Sequence, residues 1–267
     1  MSTEVRRRPA LRGGRVLSDG HVLYWWSEIL LIVGFYVVYS AVRNLNGSSL
    51  LEPPAHALDH AKQVIELERQ LGIFQEARLQ AWAMHFRPLI VAANYFYGSL
   101  HFVVTIFAGV FLYRRYSDDY PRFRNALGIM TAVALIGFTL YPLTPPRLLQ
   151  MYGVNYGFVD TLARYPTFWS FNSGGMKTIS NQFAAMPSVH IAWATWCAVA
   201  LAPRLKARGW QILAACYPLI TLVVIVITAN HYFLDAAGGL LTFGIGWFLS
   251  GLVTRAGRTP RMQVQLA

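Results

Sequence analysis

Six long apolar segments constrain this chain more than any other feature of its sequence. A helix that crosses the ~30 Å hydrocarbon core of a bilayer needs about 20 mostly apolar residues, because each residue advances it by about 1.5 Å. The segments that reach or approach this length are 24–42, 89–113, 123–141, 188–202, 210–229 and 233–253. Only 13% of the residues are charged and 55% are apolar, whereas a soluble domain is nearer a quarter charged. We therefore predict an all-α integral membrane protein with six transmembrane helices, spanning residues 23–254.

Lysine and arginine are concentrated in the segments that six spans would place on one side of the membrane. The chain carries 23 Lys and Arg against 12 Asp and Glu, a net charge of +11. The tail 1–22, the loops 114–124 and 204–208, and the tail 255–267 hold 15 of those 23 basic residues. The positive-inside rule then places both termini in the cytoplasm of a multi-pass plasma or inner membrane protein. Since topology and attraction to anionic lipid headgroups explain the charge, we expect the membrane, and no nucleic acid, as its partner.

The two long outer loops of this topology carry patterns of their own. In 55–72, apolar residues recur at helical spacing against polar ones and a glycine follows, which predicts an amphipathic helix. We interpret it as a helix that lies on the membrane surface; the alternative, which the pattern fits equally well, is a helix packed against the bundle. The loop 143–187 is much longer than a usual connection, and aromatic residues such as Phe168, Trp169 and Phe171 argue against disorder. We interpret it as an extracytoplasmic lid at the membrane interface.

Three ionisable residues lie at the outer ends of two predicted spans. His190 is near the start of the fourth span, and His231 and Asp235 are near the start of the sixth. Ionisable side chains at membrane depth are unfavourable, and they commonly mark functional sites. His231 and Asp235 are four residues apart, so the carboxylate can accept a proton from one imidazole nitrogen and leave the other facing a substrate. We therefore predict that these three residues are catalytic.

These residues resemble the motifs of the type 2 phosphatidic acid phosphatase, or lipid phosphate phosphatase, superfamily of integral membrane enzymes. Its second motif, P-S-G-H, is similar to P-S-V-H at 187–190, and its third, S-R-x5-H-x3-D, is matched at His231 and Asp235. The 41-residue separation of the two histidines and the six spans agree with the family as well. The resemblance implies an enzyme that transfers or hydrolyses the phosphate of a lipid at an extracytoplasmic active site.

Departures from the family pattern resemble one branch of it. The glycine of the second motif is Val189, and the serine-arginine pair of the third would fall at Val224 and Ile225, so that phosphate-binding arginine is missing. The first motif, K-x6-R-P, has no full counterpart. These changes, with Y-P-L-T-P-P-R at 141–147 and H-Y-x-x-D at 231–235, are similar to the inositol phosphorylceramide synthase, or inositolphosphotransferase, branch. Its members transfer a phosphoryl headgroup from one lipid to another acceptor and keep a His-His-Asp triad.

The chemistry of phosphate esters assigns a role to each predicted catalytic residue. In-line attack on phosphorus needs a nucleophile, positive charge for the phosphate oxygens and an acid for the leaving oxygen. His231, oriented by Asp235, is the predicted nucleophile and forms a phosphohistidine. His190 is the predicted acid, and it then acts as the base for the incoming water or alcohol. No carboxylate cluster adjoins these residues in the sequence, so we expect neither a metal nor another cofactor.

Further residues are candidates for binding the substrate. Arg147, whose planar fork suits phosphate oxygens, Ser188 at a helix start, and Lys177 are the candidate phosphate-binding residues. The alternative for Arg147 is an arginine at the membrane interface that binds lipid headgroups. The alternative for Lys177 is a loop lysine that faces solvent. Asn94, Tyr97 and His101 form a polar row on one face of the second span and are candidate substrate-pocket residues. The alternative for this row is an interhelical hydrogen bond that serves packing.

Together these observations predict a membrane-embedded phosphotransferase or phosphatase that acts on a phospholipid or lipid-linked phosphate at the outer leaflet. A lipid alcohol or polyol is the expected acceptor where transfer replaces hydrolysis. The alternatives are a phosphatase of lipid phosphate monoesters and a non-catalytic lipid-binding or transport protein. The histidine-aspartate pair favours an enzyme, since a carrier has no need of it.

Overall fold

The structure, a computed structural model, describes residues 14–45, 56–167 and 183–256. A two-stranded antiparallel hairpin comes first, followed by helices. The strands are β1 (Gly14–Val16) and β2 (Val22–Tyr24). The helices are α1 (Trp25–Leu45), α2 (Ala57–Gln70), α3 (Glu76–Ala83), α4 (Arg87–Tyr95), α5 (His101–Arg115), α6 (Tyr120–Leu140), α7 (Thr161–Arg164), α8 (Val189–Leu201), α9 (Arg208–Ile227) and α10 (Phe233–Ala256). A π-helical segment, Phe96–Leu100, joins α4 to α5, and a 3-10 helix, Pro146–Tyr152, precedes α7. The hairpin, which lies mostly within the predicted N-terminal tail, is the departure from an all-helical chain.

Four helical segments of the described chain are long and apolar enough to cross a membrane. They are Arg87–Arg115, Tyr120–Leu140, Arg208–Ile227 and Phe233–Arg255. Two further apolar stretches, Trp25–Val38 of α1 and Val189–Leu201 of α8, are shorter. At 1.5 Å per residue, the 13 residues of α8 extend only about 20 Å. The protein is therefore mostly helical and compatible with a multi-pass membrane protein, while six spans and the sides of the termini stay predictions.

The short helix α8 lies at the centre of the bundle. It packs against α5, α6, α9 and α10, so protein surrounds it on several sides. Its side chains Ala192, Trp196 and Cys197 are buried, and the Trp196 indole N–H donates to the carbonyl of Phe123 at 2.9 Å. A helix that is apolar all round is stable in such a position. Because His190 lies in its first turn, this packing places one predicted catalytic histidine among the helices at one end of the bundle.

Glycines let the segment before α8 pass closely between α6 and α10. A Cβ atom added at Gly137 would lie 2.5 Å from Cδ of Pro187, and one added at Gly239 would collide with the carbonyl oxygen of Ser188. The backbone amide of Ser188 in turn donates to the carbonyl of Asp235 at 2.9 Å. The two segments with the predicted catalytic residues are thus joined directly through their backbones.

The end of the bundle at which α10 begins is covered by α2, α3 and the loop that follows α6. On α2, Ala61, Val64 and Ile65 are buried in a cluster that also contains Leu143 and Tyr232. The two ends of the second long loop meet where the Leu143 amide donates to the carbonyl of Phe183 at 2.9 Å. The apolar side of α2 is therefore occupied by contacts within the protein.

Candidate active site

His231 and Asp235 form a buried pair at the start of α10. The Nδ1 atom of His231 lies 3.0 Å from the carbonyl oxygen of Ala185 and 3.2 Å from Oδ2 of Asp235. Both neighbours accept hydrogen bonds, so Nδ1 carries a proton and, in the neutral imidazole, Nε2 carries the lone pair. The His231 side chain is 3% exposed and that of Asp235 is fully buried. The surroundings thus select both the tautomer and the orientation of this ring.

His190 faces His231 across the interior of the bundle. The two ring centroids are 5.4 Å apart, and the ring planes are inclined at 65° to each other. Two aromatic rings from the α4–α5 region lie against His190: Tyr97 is stacked at 4.5 Å, and His101 is tilted at 4.4 Å. His190 is only half-buried, whereas His231 is almost fully enclosed. The start of α8 and the start of α10 therefore bring two histidines and an aspartate to one place, beside two rings from the α4–α5 region.

The three candidate pocket residues occupy different positions. Tyr97 lies beside both histidines, with its ring centroid 4.5 Å from that of His190 and 6.4 Å from that of His231, and His101 lies beside His190. Asn94 instead binds the second loop: its Nδ2 donates to the carbonyl of Thr161 at 2.9 Å, and its Oδ1 accepts from the Thr161 hydroxyl at 2.9 Å. The π-helical segment after α4 changes the register between Asn94 and His101. The regular helical row expected from the sequence is therefore divided between the histidines and the loop.

Arg147 is buried beside the turn that leads to His231. Its Nε donates to Oδ1 of Asn230 at 3.0 Å, and its Nη1 lies 3.1 Å from Oδ2 of Asp160. Its backbone amide donates to the carbonyl of Ala229 at 2.8 Å. The arginine therefore orders the backbone immediately before His231 and brings positive charge to that turn.

The other two candidate phosphate-binding residues differ in what surrounds them. Ser188 is fully buried directly before α8, and within the described part of the chain its hydroxyl meets no hydrogen-bond partner. Lys177 lies outside the described residues, as do Phe168, Trp169 and Phe171. Among the residues that the structure describes, no three His, Cys, Asp or Glu side chains are grouped so that they could hold a metal ion.

Two buried glutamates were not predicted from the sequence. Oε1 of Glu76 accepts from the Phe233 amide at 3.1 Å, and Oε1 of Glu68 accepts from the Leu234 amide at 2.7 Å. Both side chains are fully buried, and burial, followed by the neighbouring carboxyl group of Glu76, raises the pKa of Glu68 to about 9. The sequence held one signal: Glu68 continues the helical spacing of Ala61 and Val64 along the buried side of α2.

The fold and the site define a class of protein. They describe a helical membrane protein in which a buried histidine-aspartate pair faces a second histidine at one end of the bundle. A family model of the PAP2 superfamily matches residues 62–249, a range that contains all these residues. The chain belongs to the PAP2 superfamily, whose members are generally phosphatases and phosphotransferases. No curated protein and no solved structure matches the chain.

Proposed function

We propose that this protein transfers the phosphate-containing headgroup of a membrane lipid by way of a phosphohistidine on His231. The observation that carries the proposal is the pair of acceptors at Nδ1 of His231, the carbonyl of Ala185 and the carboxylate of Asp235. With the proton held at Nδ1, Nε2 is the nucleophilic nitrogen. A buried imidazole whose position is set by two acceptors loses little freedom when it attacks phosphorus.

In the first half of the reaction, Nε2 of His231 attacks phosphorus and the bond to the leaving oxygen breaks. The imidazole becomes positively charged as the phosphorus–nitrogen bond forms, and the carboxylate of Asp235 beside Nδ1 stabilises that charge. His190, with its ring centroid 5.4 Å from that of His231, gives its proton to the departing alkoxide. The products of this half are the free lipid alcohol and phosphorylated His231.

In the second half, an acceptor hydroxyl attacks the phosphohistidine from the side that the first alcohol has left. His190, now neutral, removes the proton of that hydroxyl as the new phosphorus–oxygen bond forms. Nε2 of His231 leaves and regains its lone pair. Both histidines thereby return to their starting protonation states, so the cycle needs no further reactant.

The phosphate oxygens need positive charge and hydrogen-bond donors. We assign the charge to Arg147, whose guanidinium is anchored by Asn230, the residue before His231, and by Asp160. The hydroxyl of the buried Ser188, beside His190, and Lys177 of the second loop are further proposed phosphate ligands. Tyr97 and His101, which pack on His190, form the proposed wall of the substrate pocket.

The proposed substrate is a phospholipid or lipid-linked phosphate at the outer leaflet, and the proposed acceptor is a lipid alcohol or a polyol. The resemblance of the motifs to the inositolphosphotransferase branch supports transfer. Water at ~55 M competes with any alcohol for a phosphohistidine, so transfer requires a site that excludes water and orients the acceptor. The cover formed by α2, α3 and the second loop over the start of α10 fits that requirement.

The proposal is tested by trapping the covalent intermediate. Purified protein in detergent is incubated with a panel of phosphorus-labelled lipids, quenched, and examined for protein-bound phosphate that is stable to alkali and released by acid. We expect labelling of the wild type and of His85→Ala, a variant of an exposed histidine on the outer side, and none of His231→Ala. His190→Ala should still be labelled by a substrate whose leaving group needs no proton.

Mass spectrometry of the products then separates transfer from hydrolysis. With alcohols added, a new phosphodiester is expected in place of free phosphate or free headgroup phosphate. Rapid hydrolysis of lipid phosphate monoesters, without phosphodiester formation from any acceptor, would identify a phosphatase. Lipid binding without labelled protein or altered lipid would identify a non-catalytic lipid-binding protein and contradict the proposal.

A further inference from the structure

Three carboxylates bind three consecutive backbone amides at the start of α10. Asp235 Oδ2 accepts from the Tyr232 amide at 2.9 Å, Glu76 Oε1 from Phe233 and Glu68 Oε1 from Leu234. The first amides of a helix have no partner within the helix, and the positive end of its dipole favours negative charge. The turn between His231 and Asp235 is therefore held by side chains that come from α2 and α3.

The two glutamates also lie next to each other at the start of α10. Oε2 of Glu68 and Oε2 of Glu76 are buried, and neither meets an N–H or hydroxyl donor among the described residues. Because their Oε1 atoms accept from the adjacent amides of Phe233 and Leu234, the two carboxyl groups lie side by side. Two ionised carboxylates buried side by side repel each other, whereas a hydrogen bond between them requires that one carries a proton.

We propose that Glu68 and Glu76 share one proton and act together as positioning residues, which fix the first turn of α10 and thereby the contact between His231 and Asp235. This inference rests on the proposed function for its effect on catalysis, while the proton-sharing pair and its hold on α10 are properties of the fold. Neither glutamate touches the reacting atoms; both act through the backbone amides of Phe233 and Leu234.

The surroundings of Glu68 predict how pH acts on the pair. The titratable groups that face it are Glu76 on α3 and Asp235 on α10, with Tyr232 beside them. Of the two cations on α2, Arg69 stacks on the rings of Phe74 and Tyr156, and Lys62 lies near Asp59. The pKa of Glu68, raised to about 9 by burial and by Glu76, lies far above the ordinary value near 4.3. Between these values the folded protein holds a proton that the unfolded chain has released, so stability falls as pH rises and levels off above pH 9.

Glutamine variants test the shared proton. In Glu68→Gln, Oε1 can still accept from Leu234, and the amide N–H replaces the shared proton towards Glu76. Glu76→Gln is equivalent from the other side. The double variant places two NH2 groups against each other and leaves no acceptor between them. The factor by which it lowers kcat should therefore exceed the product of the factors for the two single variants. The matched control is Glu66→Gln, an exposed residue on the same helix.

The measurements are turnover against pH, thermal unfolding against pH, and hydrogen exchange of a peptide that covers 230–236. At pH 7 we expect each single Gln variant to keep kcat within about threefold and the double variant to lose at least about tenfold, because small displacements of reacting groups are costly. In the wild type we expect turnover to decline near pH 9, where Glu68 loses its proton, and this decline should be absent in Glu68→Gln. The melting temperature of Glu68→Gln should also fall less between pH 6 and 9 than that of the wild type. Exchange in the peptide should rise in Glu68→Ala and in the double variant only.

Two results would overturn the inference. The first is a loss of kcat in the double variant no larger than the product of the two single losses. The second is a Glu68→Gln variant whose turnover and melting temperature depend on pH as in the wild type. Failure of the proposed function is distinguishable, because hydrogen exchange and thermal unfolding require no substrate. If no lipid phosphate reacts, hydrogen exchange and thermal unfolding still test whether the two carboxyl groups share a proton and hold α10. If phosphohistidine forms but both measurements are unaffected, the function stands and this inference fails.

Discussion

The close packing of Gly239 against Ser188 leads to a prediction about stability. Gly239→Ala would add a Cβ that collides with the Ser188 carbonyl and lies 3.1 Å from Cβ of Ile191. The first contact is with backbone, which in turn is bonded to Asp235, so neither partner can move away cheaply. Overpacking of this kind costs about 1–3 kcal/mol.

Gly244→Ala is the matched control on the same helix, because a Cβ there has no described atom within 4 Å. Both substitutions gain about 1 kcal/mol of helix propensity, which cancels in the comparison. We therefore expect Gly239→Ala to be less stable than Gly244→Ala by about 1–3 kcal/mol. For a chain of this size that corresponds to a difference in melting temperature of roughly 2–12 °C.

Thermal unfolding of the two purified variants in the same detergent measures this difference. Gly239→Ala should also lose activity, because the displaced Ser188 lies next to His190 and is bonded to Asp235. Equal melting temperatures for the two variants would refute the reasoning, since they would mean that α8 and α10 separate without penalty.

Three further predictions concern the membrane topology, the role of Asp235 and the attachment of α1. In a variant without Cys197 and Cys216, a cysteine replacing the exposed Met151 should react with a membrane-impermeant maleimide in intact cells, and one replacing Ser117 only after lysis; the opposite pattern would reverse the topology. Asp235→Asn should lower kcat by more than about 100-fold with an unchanged melting profile, because the ring is no longer held in the reactive tautomer; a wild-type rate would remove Asp235 from the mechanism. Glu28→Ala removes the partner of Arg124, bound at 2.6 Å, and should destabilise the protein by about 1–3 kcal/mol in denaturant unfolding, whereas Glu66→Ala should stay within about 0.5 kcal/mol.

The positions of the apolar helices could be predicted from the sequence alone. Each of the six apolar segments corresponds to a helix: the predicted 233–253, for example, is Phe233–Ala256 in the structure. This agreement has a local cause, because a long apolar segment in lipid must satisfy its backbone hydrogen bonds internally. The proximity of His231 and Asp235 is local as well, since four residues at a helix start keep two side chains within reach.

Other features depend on the distances between segments that are remote in sequence. Glu68 and Leu234, whose hydrogen bond helps to hold the first turn of α10, are 166 residues apart. The π-helical segment that separates Asn94 from the histidines also has no counterpart in the hydrophobic pattern. Such contacts arise only when whole helices pack together.

The sequence by itself therefore determined a helical membrane scaffold, the superfamily and the candidate histidines, because each rests on local composition or on short motifs. Only the tertiary structure decided which side chains support those histidines. Arg147 is tied to Asn230 and Asp160, and the first turn of α10 is held by two buried glutamates. The physical reason is that a buried polar group needs a partner, and the packing of the chain selects which partner is within reach.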